Sequence, residues 1–290
     1  MEDDMDIAVL SDIHSNHIAL KRCVDFAVDK GVTNFLFLGD YVSDCPYPQR
    51  SMQILYEIDN QYNCWFVRGN REEYMMEYRA GGEKGWIFGS SSGCLLYTYQ
   101  NLTQTDLSFF EQMPDNLTIR LPGLPAFCCC HGSMNSTREH LFADSEKTNK
   151  ILSDIKADYL LCGHTHRQGT YEYLGKKLIN PGSVGIPWYY EGKTQLAIIH
   201  GTEMGWSEEY FQLEYDREAV LEEYESSGFN SIAPMWAVLA KEAIKTGVDV
   251  TSKVLMRAME LCKEDAGKVE WPHIPEKYWE YAVREKGIDI

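Results

Sequence analysis

The sequence predicts an α/β fold, on three observations. Short apolar runs that read as buried β-strands recur through the first two hundred residues, helical patterns alternate with them, and five of the runs stop at a glycine or a polar residue. With 290 residues, 44% of them hydrophobic, the chain can bury a sizeable core.

Taken in order, residues 7–10 form the first strand-like run, and Asp12-Ile13-His14 follows it. Residues 16–30 carry Leu20, Val24, Ala27 and Val28 on one helical face, with Gly31 where a left-handed terminal residue belongs. Runs 35–38 and 64–67 lead into Gly39-Asp40 and Gly69-Asn70. A helix over 103–112 is marked by Thr103 as cap, Asp106 three residues on and Pro114 beyond the end. Strand-like runs resume at 116–121, at 126–130 before His131-Gly132, and at 159–162 before Gly163-His164-Thr165-His166. Three more lie at 177–180, 194–199 and 207–213.

From about Tyr215 the strands stop. Residues 216–226, 234–246, 250–264 and 275–286 read as helices punctuated by Gly228, Gly247, Gly267 and Pro272, so residues 1–214 are expected to form one domain and 215–290 a helical extension. The aromatic stripe of Tyr278, Trp279 and Tyr281 is expected to pack against the body. The extension would cover the core, build the dimer interface of a homo-oligomer, or wall one side of a crevice.

In open α/β sheets the loops beyond the carboxyl ends of strands converge on one crevice. Asp12, His14, Asp40, Asn70, His131, His164 and His166 all lie in such loops. Singly, each reads as a turn former or a cap for a neighbouring carbonyl. Together they combine imidazoles, which suit zinc or iron, with oxygen donors, which suit harder ions such as manganese. A carboxylate among them can bridge two ions, and a pair of ions about 3.5 to 4 Å apart forms the clamp used for displacement at phosphorus. Phosphoester hydrolysis is the reaction class this predicts. His200 follows run 194–199 outside these blocks and reads as structural.

Composition narrows the partners. A formal net charge of −17 offers too few cations to neutralise a long nucleic acid, so a small phosphorylated substrate is expected. Nothing resembles a transmembrane span, and the acidic start Met1–Asp6 is unlike a secretory signal, which makes a cytoplasmic location the expectation. Nine cysteines lack any Cys-x-x-Cys pair, which excludes a zinc ribbon and fits free thiols.

The chain resembles the calcineurin-like metallophosphoesterases, in their phosphodiesterase-like branch. The blocks Ser11-Asp12-Ile13-His14-Ser15-Asn16, Leu38-Gly39-Asp40, Val67-Arg68-Gly69-Asn70, Cys130-His131-Gly132-Ser133, Cys162-Gly163-His164-Thr165-His166 and Asn180-Pro181-Gly182-Ser183-Val184-Gly185 carry the likeness in family order over about two-thirds of the chain. It implies two β-sheets packed face to face with helices outside, an α/β/β/α arrangement. It also implies two metal ions (Mn, Fe or Zn), one held by Asp12, His14 and His166, the other by Asn70, His131 and His164, with Asp40 bridging.

The departure from the family pattern is Arg71, where many members have a histidine that assists the leaving group. Arginine cannot act as a general acid near neutral pH, but its planar fork suits phosphate oxygens. Arg71 is therefore expected either to bind substrate or to pair at the surface with Glu72 or Glu73. His17 is the candidate substitute acid, and Asn16 a candidate to orient a phosphate or a ligand. The segments 41–50 and 133–140 are expected to shape the pocket, with Met134 and Asn135 where relatives often have arginine.

The leading function is a dinuclear phosphoesterase for small phosphodiesters, nucleotides or dinucleoside polyphosphates. The alternatives are a protein Ser/Thr phosphatase and a metal-binding scaffold without turnover. Gly39-Asp40-Tyr41-Val42-Ser43-Asp44 and Gly69-Asn70-Arg71-Glu72 differ from the protein-phosphatase forms, and the intact ligand set disfavours the scaffold.

Overall fold

The computed structural model describes residues 5–290. The first four residues of the acidic start, on which the cytoplasmic expectation partly rests, lie outside them. Strands β1 (Met5–Leu10), β2 (Asn34–Phe37) and β3 (Asn63–Phe66) run parallel, and the hairpin β9 (Thr194–Thr202) and β10 (Gly205–Leu213) adds antiparallel to β1, giving the order β10-β9-β1-β2-β3. A second sheet has the order β4-β5-β6-β8-β7, from β4 (Asn116–Ile119), β5 (Phe127–Cys130), β6 (Tyr159–Leu161), β7 (Gly169–Tyr173) and β8 (Lys176–Asn180).

Side chains alternate along a strand, and in the central strands β1, β2, β5 and β9 both faces are largely buried, which is why these read as continuous apolar runs. Ile7, Val9, Leu36 and Leu38 meet Phe127, Cys129, Leu161 and Ile179 between the two sheets. Ala8, Leu10, Phe35 and Phe37 face the other way, against helices α1 (His17–Asp29), α2 (Pro48–Asp59), α3 (Asn70–Ala80) and α5 (Gln104–Gln112). The outer face of the second sheet, with Cys128, Cys130, Leu160 and Leu178, takes helix α6 (Glu146–Asp154). The result is the expected α/β/β/α layering.

The C-terminal helices are α7 (Arg217–Ser226), α8 (Phe229–Ile232), α9 (Pro234–Thr246), α10 (Thr251–Ala266) and α11 (Glu276–Glu285), and helix α4 (Gly93–Gln100) packs against α8. Phe229, Ala237 and Ile244 pack on Tyr97 of α4 and on Ile186 in the loop after β8, and Leu239, Val254 and Trp279 form a further cluster among α9, α10 and α11. Trp279 and Tyr278 are buried, but within the extension's own cluster rather than against the body, which Trp279 reaches through Ser91 Oγ at 3.2 Å; Tyr281 stays 57% exposed. All nine cysteines are free. His200 is structural, its Nδ1 lying 2.7 Å from Asp6 Oδ1 on the neighbouring strand. No helix among the described residues is long and apolar enough to cross a membrane.

Candidate metal centre and active site

All seven predicted ligands converge at the carboxyl ends of the parallel strands. Asp12 and His14 follow β1, Asp40 follows β2, Asn70 opens α3 after β3, His131 follows β5, and His164 and His166 follow β6. The turns that bring them there are tight: Asp12, His14, Asp40, His164 and His166 all have left-handed backbone, with φ between 48 and 64°. Asp and His tolerate that region better than most residues, at about 1 to 3 kcal/mol each, and such strain gathers at functional sites.

Two clusters result, Asp12–His14–His166 and Asp40–His131–His164, in each of which the donor atoms lie within 4.8 Å of one another. His14 Nε2 faces His166 Nε2 at 3.1 Å, and His131 Nε2 faces His164 Nδ1 at 3.1 Å with Asn70 Oδ1 at 3.0 Å. Asp12 Oδ1, 3.2 Å from His166 Nε2, meets no donor in hydrogen-bonding geometry. Converging acceptor atoms of this kind, buried together, repel unless a cation or a proton sits among them. The donor set therefore fits metal ions.

Neighbouring groups fix the rings for that task. His131 Nδ1 donates to Leu38 O at 2.7 Å and His166 Nδ1 to Ile186 O at 2.7 Å, while His14 Nδ1 lies 2.7 Å from Asp44 Oδ2. Each contact leaves the opposite nitrogen free to bind, the arrangement expected around a metal site. Asp12 Oδ2 also accepts the His164 backbone N–H at 3.0 Å, tying the two loops together.

Charge follows from the same geometry. Burial alone would raise the carboxyls of Asp12 and Asp40, but His166 beside the first and His131, His14 and Arg71 around the second hold both well below the usual range. Burial opposes charge on His131, yet Asp40 wins and lifts it to about 9. Burial and the adjacent His131 drive His164 down to about 3. In the metal-free protein Asp40 thus keeps a proton on His131 at neutral pH, and against burial Asp12 favours the charged form of His166.

That proton has a measurable consequence. A metal ion needs neutral imidazole, so binding at pH 7 must expel the proton that Asp40 keeps on His131. Affinity at this cluster should rise with pH, by about ten-fold per unit for each proton released, and level off above about pH 9. Calorimetry of metal binding in two buffers of different ionisation heat measures the release directly, and proton uptake would contradict it.

Two residues missed in the sequence hold this centre. Asp44, within the segment expected to shape the pocket, contacts His14, takes a hydrogen bond from Trp236 Nε1 at 2.7 Å and forms an ion pair with Arg71 Nη2 at 3.0 Å. Glu72 is fully buried and accepts three backbone N–H groups, from Asp40 and Gly69 at 2.9 Å and Tyr41 at 2.8 Å. Burial and the charge of Asp40 raise its carboxyl to about 7. The signal for Glu72 was its place three residues after the Gly69 cap.

Arg71 does not pair with Glu72 or Glu73. It lines the crevice, bound to Asp44, with its Nε buried and without an acceptor. His17, the expected substitute acid, is not brought to the site: Glu223 on α7 holds its Nε2 at 2.9 Å, outside the residues that line the crevice. Asn16 caps α1 through the Ala19 N–H and its Nδ2 donates to Gly185 O at 2.9 Å and to Tyr215 Oη at 3.5 Å, so its amide positions the ligand loop. His140 does reach the crevice, its ring 4.2 Å from that of His164.

The crevice is about 180 Å³, and the C-terminal helices wall one side of it with Trp236, Ala240, Ala243, Asp249 and Ser252. Residues 5–217 match the calcineurin-like phosphoesterase superfamily domain. The chain belongs to that superfamily. It is a metal-dependent phosphoester hydrolase by family, with two candidate metal-binding clusters. Similar proteins to this phosphoesterase include an uncharacterized protein of Methanocaldococcus jannaschii, 26% identical over 72% of this chain and 88% of that protein. The serine/threonine-protein phosphatase 2B catalytic subunit A2 of Saccharomyces cerevisiae is 34% identical over 54% of this chain and 24% of its own length. The fold matches the crystal structure of a hypothetical protein from Pyrococcus horikoshii OT3, at a TM-score of 0.71 and 16% identity, over 85% of this chain and all of that one.

Proposed function

We propose that the chain is a dinuclear phosphoesterase acting on small phosphodiesters, nucleotides or dinucleoside polyphosphates. The observation that carries this reading is Asp40: its Oδ1 lies 3.4 Å from His131 Nε2 and its Oδ2 3.8 Å from His14 Nε2, so one carboxylate faces both clusters. Asp12, His14, His166 and Asp40 would hold one ion, and Asp40, Asn70, His131 and His164 the other. Mn, Fe and Zn all suit this mixture of nitrogen and oxygen donors. Bound there, such ions supply a hydroxide nucleophile near neutral pH and polarise phosphoryl oxygens.

The chain's own residues do the rest. Asp44 holds Arg71 Nη2 at 3.0 Å and Asp40 Oδ2 lies 3.9 Å from its Nε, so the guanidinium is fixed in the crevice wall where it can meet a phosphate oxygen. Loss of one charged hydrogen bond costs about 1.5 to 3 kcal/mol, so Arg71→Ala should lower kcat/KM by roughly ten-fold or more. Metal content should not change in that variant. An unchanged rate would remove Arg71 from the substrate site.

A protein phosphatase is the second reading, supported by the likeness to the yeast phosphatase subunit. The walled crevice of about 180 Å³ argues for the smaller substrate. With arginine at position 71 and His17 held elsewhere, turnover should also depend on the leaving group. Bis(p-nitrophenyl) phosphate and phosphoanhydride nucleotides are expected to be hydrolysed by the metal-loaded protein, and phosphoserine peptides slowly. Fast phosphoserine turnover would overturn the small-substrate reading.

A further inference from the structure

A second cavity, of about 530 Å³, opens beside the metal crevice, and the two share Arg71 and Trp236. Its volume falls within the range of about 300 to 1,000 Å³ typical of small-molecule sites. Tyr74 and Tyr78 of α3, Trp86, and Trp271 line it together with the shared Trp236. None of these five rings is fully buried, and Trp271 is 48% exposed, whereas the core encloses Trp279, Tyr41 and Tyr224 almost completely. Arg138 lies 4.7 Å over the Tyr74 ring and Arg71 6.0 Å from the Trp236 ring, so among the described residues the aromatic surface facing the cavity without a cationic partner is that of Tyr78, Trp86 and Trp271.

The rings are also braced. Tyr78 and Trp86 stack at 4.0 Å and 3°, and Tyr99 meets both edge-on. Trp236 is anchored through its indole N–H to Asp44, the carboxylate that also holds His14 and Arg71. A flat heteroaromatic group bound here would lie next to a phosphate held by Arg71, with the guanidinium at the junction of the two pockets.

We propose that this cavity is a nucleobase subsite, and that the substrates are phosphoesters of nucleosides rather than of sugars or glycerol. This rests on the phosphoesterase reading above and adds the leaving or retained group to it. Base stacking on aromatic side chains is sequence-tolerant, so the site distinguishes the presence of a base more than its identity.

The test is calorimetric binding of AMP, ribose 5-phosphate and inorganic phosphate to the metal-loaded protein. AMP should bind at least about ten-fold more tightly than ribose 5-phosphate, the scale expected from one stacked base. Trp271→Ala should lower AMP affinity by about ten-fold without changing metal content or ribose 5-phosphate affinity, and Trp271→Phe should restore most of it. Equal binding of AMP and ribose 5-phosphate would overturn the subsite while the phosphoesterase reading stood. If a protein loaded with metal bound none of the three and turned over no phosphoester, both would fall.

Discussion

Asp40→Asn should cost more than about 100-fold in turnover and leave the protein unable to retain its full metal complement. Changes even to groups that only support a metal ligand cost about 10- to 100-fold, and Asp40 is read as a ligand to both sites. The amide keeps the shape of the side chain but offers one oxygen and no charge, so it cannot face His14 and His131 alike, 3.8 and 3.4 Å from its two oxygens. Asn70→Ala, which removes a neutral oxygen beside His131 alone, should mainly weaken one site. Metal analysis of the purified variants, set beside their turnover of bis(p-nitrophenyl) phosphate, measures both effects. An Asp40→Asn protein that kept the wild-type metal content and rate would be inconsistent with a bridging carboxylate.

Gly69→Ala should be nearly as damaging, for a reason that lies in packing. Gly69 sits at φ −94°, which any residue adopts, so backbone preference is not at stake. A Cβ there would stand 2.2 Å from the Asp40 backbone nitrogen and 2.3 Å from its Oδ1. Overpacking a core costs about 1 to 3 kcal/mol when side chains can shift. Here the obstacle is backbone that Glu72 clamps through three hydrogen bonds, so the cost should reach about 3 kcal/mol. For a chain of this length that is a fall in Tm of roughly 5 °C, with activity lost because Asp40 is displaced. Thermal unfolding of the metal-free variant separates the two effects, and an unshifted Tm would refute the packing argument.

The α/β class and the strand-end positions of the candidate ligands were legible because both depend on local pattern, whereas the two-sheet layering and the grouping of ligands about two ions came from the family resemblance. Strands buried on both faces leave uninterrupted apolar runs, and the ligands stand directly after them. Two of the missed helices, α2 and α3, lack such marks. Helix α2 starts after Tyr47, which provides no capping hydrogen bond, and only Pro48 at its first position signals it. Helix α3 is capped by glycine, the least informative cap, and overlaps the ligand block itself. Asp44 and Trp236 were missed for a different reason: their roles arise from contact across 192 residues, between a loop after β2 and helix α9. His17 misled because its neighbour in space, Glu223, is equally remote in sequence.

The most direct test of the central claim is the number of metal ions per chain that supports activity. Metal-free protein titrated with manganese, iron or zinc, with bound metal and turnover followed together, should reach two ions per chain, with activity appearing as the second site fills. Saturation at one ion per chain with full activity would contradict the dinuclear account.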